Sequence, residues 1–185
     1  MMFWELSQSL EVAGKAYDID SDFRTVLRVL AAYGDPELSD SEKGLICLAN
    51  IYIDAASIPA EHLQEAYQAA VRFIDNGQEQ EQRGPRSMDW EQDAALIFPA
   101  VNGVAGFEAR SVEYMHWHTF LGYFMEIKES VFSTVVRLRQ KRNRNQKLDK
   151  AEREFWRSNE KICALKTKLT AKEQAEYDRL NALFS

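Results

Sequence analysis

Apolar residues recur with a period of two near the N-terminus and with the helical period of about 3.6 beyond it. Val12 stands before Gly14, and Tyr17 and Ile19 follow at period two, which predicts a small β-hairpin with two half-buried strands. Asp20-Ser21-Asp22 then supplies side-chain oxygens for a helix start. Phe23, Val26, Leu27 and Leu30 form one apolar stripe, with Arg24 and Arg28 on a polar face, and Gly34 and Pro36 end the helix. Ser39 and Glu42 have the capping-box spacing. The helix behind them is expected to bury Leu45, Leu48, Ala49 and Tyr52. A third helix is expected from near Pro59, its apolar side made of Leu63, Tyr67, Ala70, Val71 and Ile74. The polar stretch 76–88, with Gly77, Gly84 and Pro85, reads as a loop.

Helical spacing resumes at Asp89, with Trp90, Ala94, Ile97 and Phe98 on one side and interruptions expected at Pro99, Gly103 and Gly106. Residues Ser111 to about Lys128 predict the most apolar helix. Trp117, Phe120, Leu121 and Phe124 share one face and Tyr123 and Ile127 another, which points to a central position. The pattern continues from Val131 through Leu138 into a basic run. Asp149 with Glu152, and Thr170 with Glu173, are two more capping patterns and predict a C-terminal helical hairpin. Its first helix places Ala151, Phe155, Ser158, Ile162 and Leu165 at heptad spacing, and its second groups Tyr177, Leu180 and Phe184. Neither is long enough to stand alone in water, so each must pack on something. The fold class expected is mainly α: a multi-helix domain with a small N-terminal β-hairpin and a C-terminal helical hairpin.

Composition narrows the class. The 185 residues are 45% hydrophobic, 11% aromatic and 28% charged, with eight Gly and four Pro, which excludes collagen-like and wholly disordered chains. The net charge of −6 averages two unlike parts. Residues 1–136 carry 9 Lys+Arg against 22 Asp+Glu; residues 137–185 carry 14 against 7. The expected organisation is therefore an acidic helical body, 1–136, and a basic helical tail, 137–185, packed on the body or extending from it. The N-terminal residues lack the basic start of a signal peptide, and no apolar run approaches the roughly 18–20 residues of a membrane span. Cys47 and Cys163 lie far apart in helical apolar context and are expected to be buried, inert thiols of a reducing compartment.

Signals of chemistry are sparse. His116 and His118 flank Trp117, but on a helix positions i and i+2 point about 200° apart, so the two rings are not expected to share a metal. Asp89, Glu91 and Asp93 cluster where a first helical turn is expected, and negative charge there answers the helix dipole. Phosphate loops, nucleophile elbows and zinc spacings are missing from the sequence. A non-enzyme without metal or cofactor is expected. The basic run Arg137–Lys150 holds seven Lys/Arg and one acid, Asp149. It can be read as a nucleic-acid arm, as a contact for an acidic protein surface, or as a solvated helix end. The lack of interleaved aromatics and the acidic body argue against nucleic acid.

Several segments, in order, resemble one family: AGKAYDIDSDFRTVL, LSDSEKGLICLANIYIDAASIP, MDWEQDAALIF, EYMHWHTFLGYF and FSTVVRLR. Asp22-Phe23-Arg24, Trp90 to Ala94, and His116-Trp117 with Phe120 carry most of the likeness, and the ending LTAKEQAEYDRLNALF is similar too. The family comprises small tailed-phage proteins, chiefly of phages and prophages of Gram-positive bacteria, encoded just ahead of the tape-measure gene. A second Trp common in the family is replaced here by His118. The resemblance implies a tail assembly chaperone or morphogenesis factor of the host cytoplasm. It would bind the tape-measure protein or the tail-tube protein, and would form homo-oligomers in which one copy's acidic body meets the next copy's basic tail. The candidate partner-binding residues are Arg137, Arg139, Lys141, Arg142, Arg144, Phe155, Trp156 and Ile162. The rival readings are a structural subunit retained in the virion and a DNA-binding regulator using the basic tail.

Overall fold

A computed structural model describes residues 5–77 and 85–183. The period-two segment is a two-stranded antiparallel hairpin of β1 (Ser9–Val12) and β2 (Lys15–Asp18), with Val12 opposite Lys15 and Leu10 opposite Tyr17. Its two-residue turn has both central residues at positive φ, 49° at Ala13 and 76° at Gly14. That geometry matches the right-handed twist of the strands, and glycine adopts it without a Cβ penalty. The Ala13 N–H is held by Glu65 Oε1 at 2.8 Å.

Helix α1 (Phe23–Tyr33) starts at the Asp22 cap, whose carboxylate accepts the Arg24 N–H, and ends at Gly34. Its buried side is Phe23, Thr25, Val26 and Val29; Leu27 and Leu30 are only partly buried, so the stripe is rotated from the one expected. Helix α2 (Asp40–Ile51) opens with the full Ser39–Glu42 capping box. It buries Cys47, Leu48 and Ile51, and Tyr52 follows buried at its end, but Leu45 is 62% exposed and Ala49 is exposed. After two 3-10 turns, Ala55–Ser57 and Ala60–His62, helix α3 (Leu63–Ile74) buries three alanines, Phe73 and Ile74. The small Ala66, Ala69 and Ala70 let α3 approach its neighbours closely, and the buried Tyr52 hydroxyl donates to Ala66 O at 2.9 Å.

Helix α4 (Ala94–Ala105) runs through Pro99 and Gly103 and stops at Gly106, whose φ of 79° makes the left-handed cap. An interior proline costs a helix about 3 kcal/mol. Burial of Ile97 and Val101 on either side, and of part of Phe98 against Phe23 and Phe120, outweighs that penalty here. The long helix expected from Ser111 is not formed. Residues 112–116 are extended apart from a bend, with Ala109–Ser111 a 3-10 turn before them, and α5 spans only Trp117–Met125. The cause is a pairing with the start of α1: Phe23 N–H donates to Met115 O at 2.9 Å, and Trp117 N–H to Ser21 O at 2.7 Å.

The core gathers the hairpin and α1–α5 around Trp117, Phe23 and Phe120. The Phe23 and Phe120 rings stack at 4.5 Å, and Trp117 Nε1 donates to Ile74 O at 2.8 Å. A second capping box, Ser130 with Ser133, restarts the chain as α6 (Val131–Asn143), which crosses the charge boundary at residue 137 without interruption. It packs on α4 through one end and on the C-terminal elements through the other. Those are α7 (Lys150–Ser158), α8 (Glu160–Cys163) and α9 (Ala171–Leu183). The heptad stripe expected through 151–165 is broken at Asn159, and Ala151 and Ser158 are exposed. Residues 164–169 are neither helix nor strand. The Thr170–Glu173 cap forms as expected, and side chains of 171–176 and 178–180 are exposed. Phe184 and the side chain of Tyr177 lie outside the described residues, as does 78–84 of the expected loop.

A candidate partner-binding face on the C-terminal arm

The basic run falls on the last two turns of α6 and the turn after it, where α7 and α8 fold back against it. Arg139 is the exception to the exposure expected of such a run: it is 4% exposed. Its guanidinium forms a bidentate pair with Asp93, Nη1 to Oδ2 at 2.7 Å and Nη2 to Oδ1 at 2.9 Å. Nε donates to Cys163 O, Nη1 also to Ser87 O, and Nη2 also to Ile162 O. All five N–H groups are therefore used, as a buried guanidinium requires. Arg139 is withdrawn from the partner surface on which the sequence places it: it joins the body to α8.

Asp89, Glu91 and Asp93 are the body's half of this junction rather than a first helical turn, since α4 begins only at Ala94. Asp89 Oδ1 accepts the N–H groups of Glu91 and Gln92, and its other oxygen pairs with Arg86 and lies 3.8 Å from Lys168 Nζ. Burial would push the Asp89 carboxyl up, but those N–H donors and the two cations hold it below the usual carboxylate range. Lys168 Nζ also pairs with Glu91 at 2.7 Å. Gln92 clamps the segment after α8, donating to Lys166 O at 2.9 Å and accepting from Lys166 N–H at 3.0 Å. Part of the tail's positive charge is thus answered by the body of the same chain.

Arg137 and Lys141, one helical turn apart, both donate to Glu152 Oε1, at 2.8 and 2.6 Å. Glu152 also accepts the Asp149 N–H, completing the α7 capping box. The Lys141 hydrogen bond, then the Asp149 N–H, hold the Glu152 carboxyl below its ordinary range. Arg142 lies over the Trp156 ring, 4.2 Å from its centroid, and Arg144 is exposed. Phe155, Trp156 and Ile162 are half-buried. The arrangement therefore brings Arg142 to Trp156, pairs Arg137 and Lys141 with Glu152, and leaves Arg142, Arg144 and the three apolar residues partly accessible.

Between α6, α8 and residues 164–168 lies a cavity of about 710 Å³ whose lining includes Arg86, Arg142, Asn143, Trp156, Lys166 and Lys168. Arg86, Lys166 and Lys168 escape the sequence reading because they lie outside the basic run. The alternation of Lys166 and Lys168 just past the last apolar helical position is the one signal that could have found them. Among the described residues the cavity lining holds no acid, although Asp89 and Glu91 pair with Arg86 and Lys168 beside it.

The two histidines also depart from expectation. Because His116 precedes α5 as its cap, its ring meets that of His118 at 5.1 Å rather than pointing away. His116 Nδ1 accepts the His118 N–H, so Nε2 carries the proton that faces Ser7 O at 3.0 Å. Burial lowers the His116 pKa from its ordinary value. His118 Nε2 is 2.8 Å from Phe73 O. Among the described residues no group of three or more His, Cys, Asp or Glu is placed to hold a metal ion. Cys47 and Cys163 are free and buried, and burial pushes both thiols up. Among the described residues no helix is long and apolar enough to cross a membrane.

In comparisons with known proteins, residues 3–165 match the family model described as "Bacteriophage Gp15 protein". No curated protein and no solved structure matches.

Proposed function

The chain belongs to the Bacteriophage Gp15 protein family, and from that premise we propose that it is a non-enzymatic tail assembly chaperone or morphogenesis factor, binding the tape-measure protein and itself. The observation that carries the reading is the family match across 3–165, together with the phage-tail likeness of the segments around Asp22-Phe23-Arg24, Trp90–Ala94 and His116–Phe120. Its working surface is the accessible part of the C-terminal arm: Arg142, Arg144, Phe155, Trp156 and Ile162. Mixed cationic and aromatic character suits a helical protein partner, since aromatics and arginine supply most of the energy in such contacts. The work takes place in the cytoplasm of the host.

Co-expression with the tape-measure protein of the same phage tests this. Capture of that protein, and its appearance in the soluble fraction only when this chain is present, is the expected result. No capture, or capture without any gain in solubility, overturns the chaperone reading. Mass spectrometry of purified particles separates the structural alternative: a chaperone is scarce there, whereas a retained subunit is abundant.

A further inference from the structure

We propose that the cationic cavity on the C-terminal arm is a docking site for carboxylate side chains, and that its occupant is the acidic, Ile53-bearing end of a second copy of this chain. The proposal rests on the self-association in the function proposed above and gives it an address.

The cavity is built rather than incidental. Arg86, Arg142, Lys166 and Lys168 line it, with Trp156 as an aromatic wall; Asp89 and Glu91 already answer Arg86 and Lys168, so Arg142 and Lys166 are the cations it offers to an incoming carboxylate. Its walls are held in place from behind. Gln92 fixes both the N–H and the C=O of Lys166, leaving that ammonium on an exposed side chain. Asn143 Nδ2 donates to Pro85 O and Arg86 O, which anchors the Arg86 segment to α6. Arg142 is positioned by its stacking on Trp156. A guanidinium on an aromatic face keeps its edge N–H groups free to bind a carboxylate.

The complementary surface is on the same molecule. Glu11 and Asp18 on the hairpin, Asp54 and Glu61 in the segments before α3, and Glu65 at its start are all exposed. The Ala13–Glu65 hydrogen bond ties the hairpin turn to α3, and Ile53 N–H donating to Asp18 O at 3.1 Å ties the other end of the hairpin to the segment after α2. Ile53, next to Asp54 in the chain and bonded through its N–H to Asp18, is 71% exposed and offers an uncovered apolar side chain beside them. Carboxylates around one aliphatic group match cations around one indole. Because the two patches come from different parts of the chain, the contact is heterologous: every copy offers both halves, and copies can add head to tail. A nucleic acid satisfies the cavity less well, because its phosphates would also face the acidic body that carries 22 Asp+Glu against 9 Lys+Arg.

The test uses the purified full chain and two charge-reversal variants, Arg142→Glu/Lys166→Glu and Asp54→Lys/Glu61→Lys, compared by sedimentation velocity. Circular dichroism establishes that each is folded. The wild type is expected to self-associate, with association weakening at least about tenfold between about 50 mM and 500 mM salt. Each variant alone is expected to lose about tenfold or more, and an equimolar mixture of the two to recover association. A monomeric wild type across that range overturns the proposal. So does a mixture no more associated than its parts, or a wild type that binds duplex DNA but not itself. If a reversal variant is unfolded, Arg142→Gln/Lys166→Gln and Asp54→Asn/Glu61→Gln replace it, and undiminished association in both overturns the site. No phage partner is present, so failure here leaves tape-measure capture to be judged by the co-expression experiment.

Discussion

The body and the C-terminal arm are held by opposite kinds of contact. Around α1–α5, apolar side chains interlock: Phe23, Val26, Val29, Ile51, Ile97, Val101 and Phe120 are essentially without exposure, and the polar atoms among them mostly tie backbone segments together. Where α6 meets α8 and the 85–93 segment, the centre of the contact is a guanidinium and a carboxylate, Arg139 and Asp93, surrounded by backbone carbonyls. Apolar burial is spread over many residues and tolerates imperfect partners. A buried ion pair makes the junction depend most heavily on two residues, with Gln92, Lys166 and Lys168 linking it at the surface, and removing either member strands the other. The body should therefore lose stability as one cooperative unit, and the arm should be separable from it by a single change.

The strongest blow to the body is Phe120→Ala. Removing a ring stacked at 4.5 Å on Phe23 and close to Phe98 and Trp117 leaves a cavity at the centre and should cost about 4 kcal/mol. Urea unfolding followed by tryptophan fluorescence measures it. A loss below about 1 kcal/mol would mean that the core closes up around the gap, and that the body is less tightly interlocked than its burial indicates.

Arg139→Met should come next, at about 3 kcal/mol, because it strands the Asp93 carboxylate in a buried place. Its signature is positional. Cys163, whose carbonyl accepts the Arg139 Nε–H, should become reactive to a thiol reagent, while Cys47 in the body stays protected. Adding Asp93→Leu should recover part of the loss, since two apolar groups replace the pair. If both cysteines gain reactivity together, arm and body unfold as one and the contrast between them is wrong.

How far the sequence discloses each region follows the same division. Periodicity located the hairpin, the starts of α1 and α2, and the course of α6, because amphipathic burial leaves a repeating trace. The Ser39–Glu42 and Asp149–Glu152 boxes are local, and both form. Register within helices was less legible: Leu45 is exposed and Val29 and Phe73 are buried, since which side is covered depends on neighbours distant in sequence. The segment before Trp117 is apolar and helix-like in pattern, yet its pairing with Ser21–Phe23 is a long-range choice that no local window contains. The arm was least legible. Arg139 is one cation in a run of seven, and nothing local marks it as the one whose partner lies 46 residues away at Asp93. Within the candidate site the Arg142–Trp156 pair joins residues already singled out, while Arg86, Lys166 and Lys168 enter only through the fold.

The capping boxes at Ser39 and Asp149 give a finer comparison. Ser39→Ala and Asp149→Ala each remove one cap acceptor, worth about 1 kcal/mol. In the body, the loss at Ser39 should appear as a small shift of the whole unfolding transition. In the arm, Asp149→Ala leaves the Glu152 backbone N–H without its acceptor, while the backbone N–H of position 149 still donates to the Glu152 carboxylate, so amide hydrogen exchange should quicken over α7 while α5 is unchanged. Equal acceleration in both helices would join the arm to the body's cooperative unit.

Acid should distinguish the regions with the smallest perturbation. Glu152 and Asp89 both have carboxyl pKa values below their ordinary range when folded, Glu152 through Lys141 and the Asp149 N–H, Asp89 through the net effect of its donors and cations against burial. A carboxyl depressed in the folded state stabilises it fully above the unfolded value of about 4, and that stabilisation is lost as pH falls through the folded value. Both carboxylates serve the arm and its junction, whereas the depressed carboxyls of the body, Glu108 and Glu42, are solvent-accessible and hold a 3-10 turn and a helix start rather than its hydrophobic centre. Lowering the pH from about 6 toward about 3 should therefore raise exchange first in residues 150–163, after correction for the intrinsic pH dependence of exchange, and only later in 117–125. Glu152→Gln keeps an acceptor for Lys141 and removes the titrating group, so its arm should already be looser at pH 6 and change less on acidification. An arm whose acid response is the same in wild type and Glu152→Gln would leave Asp89 and the junction as the acid-sensitive element, and would move the weak point of the molecule from α7 to the contact around Arg139.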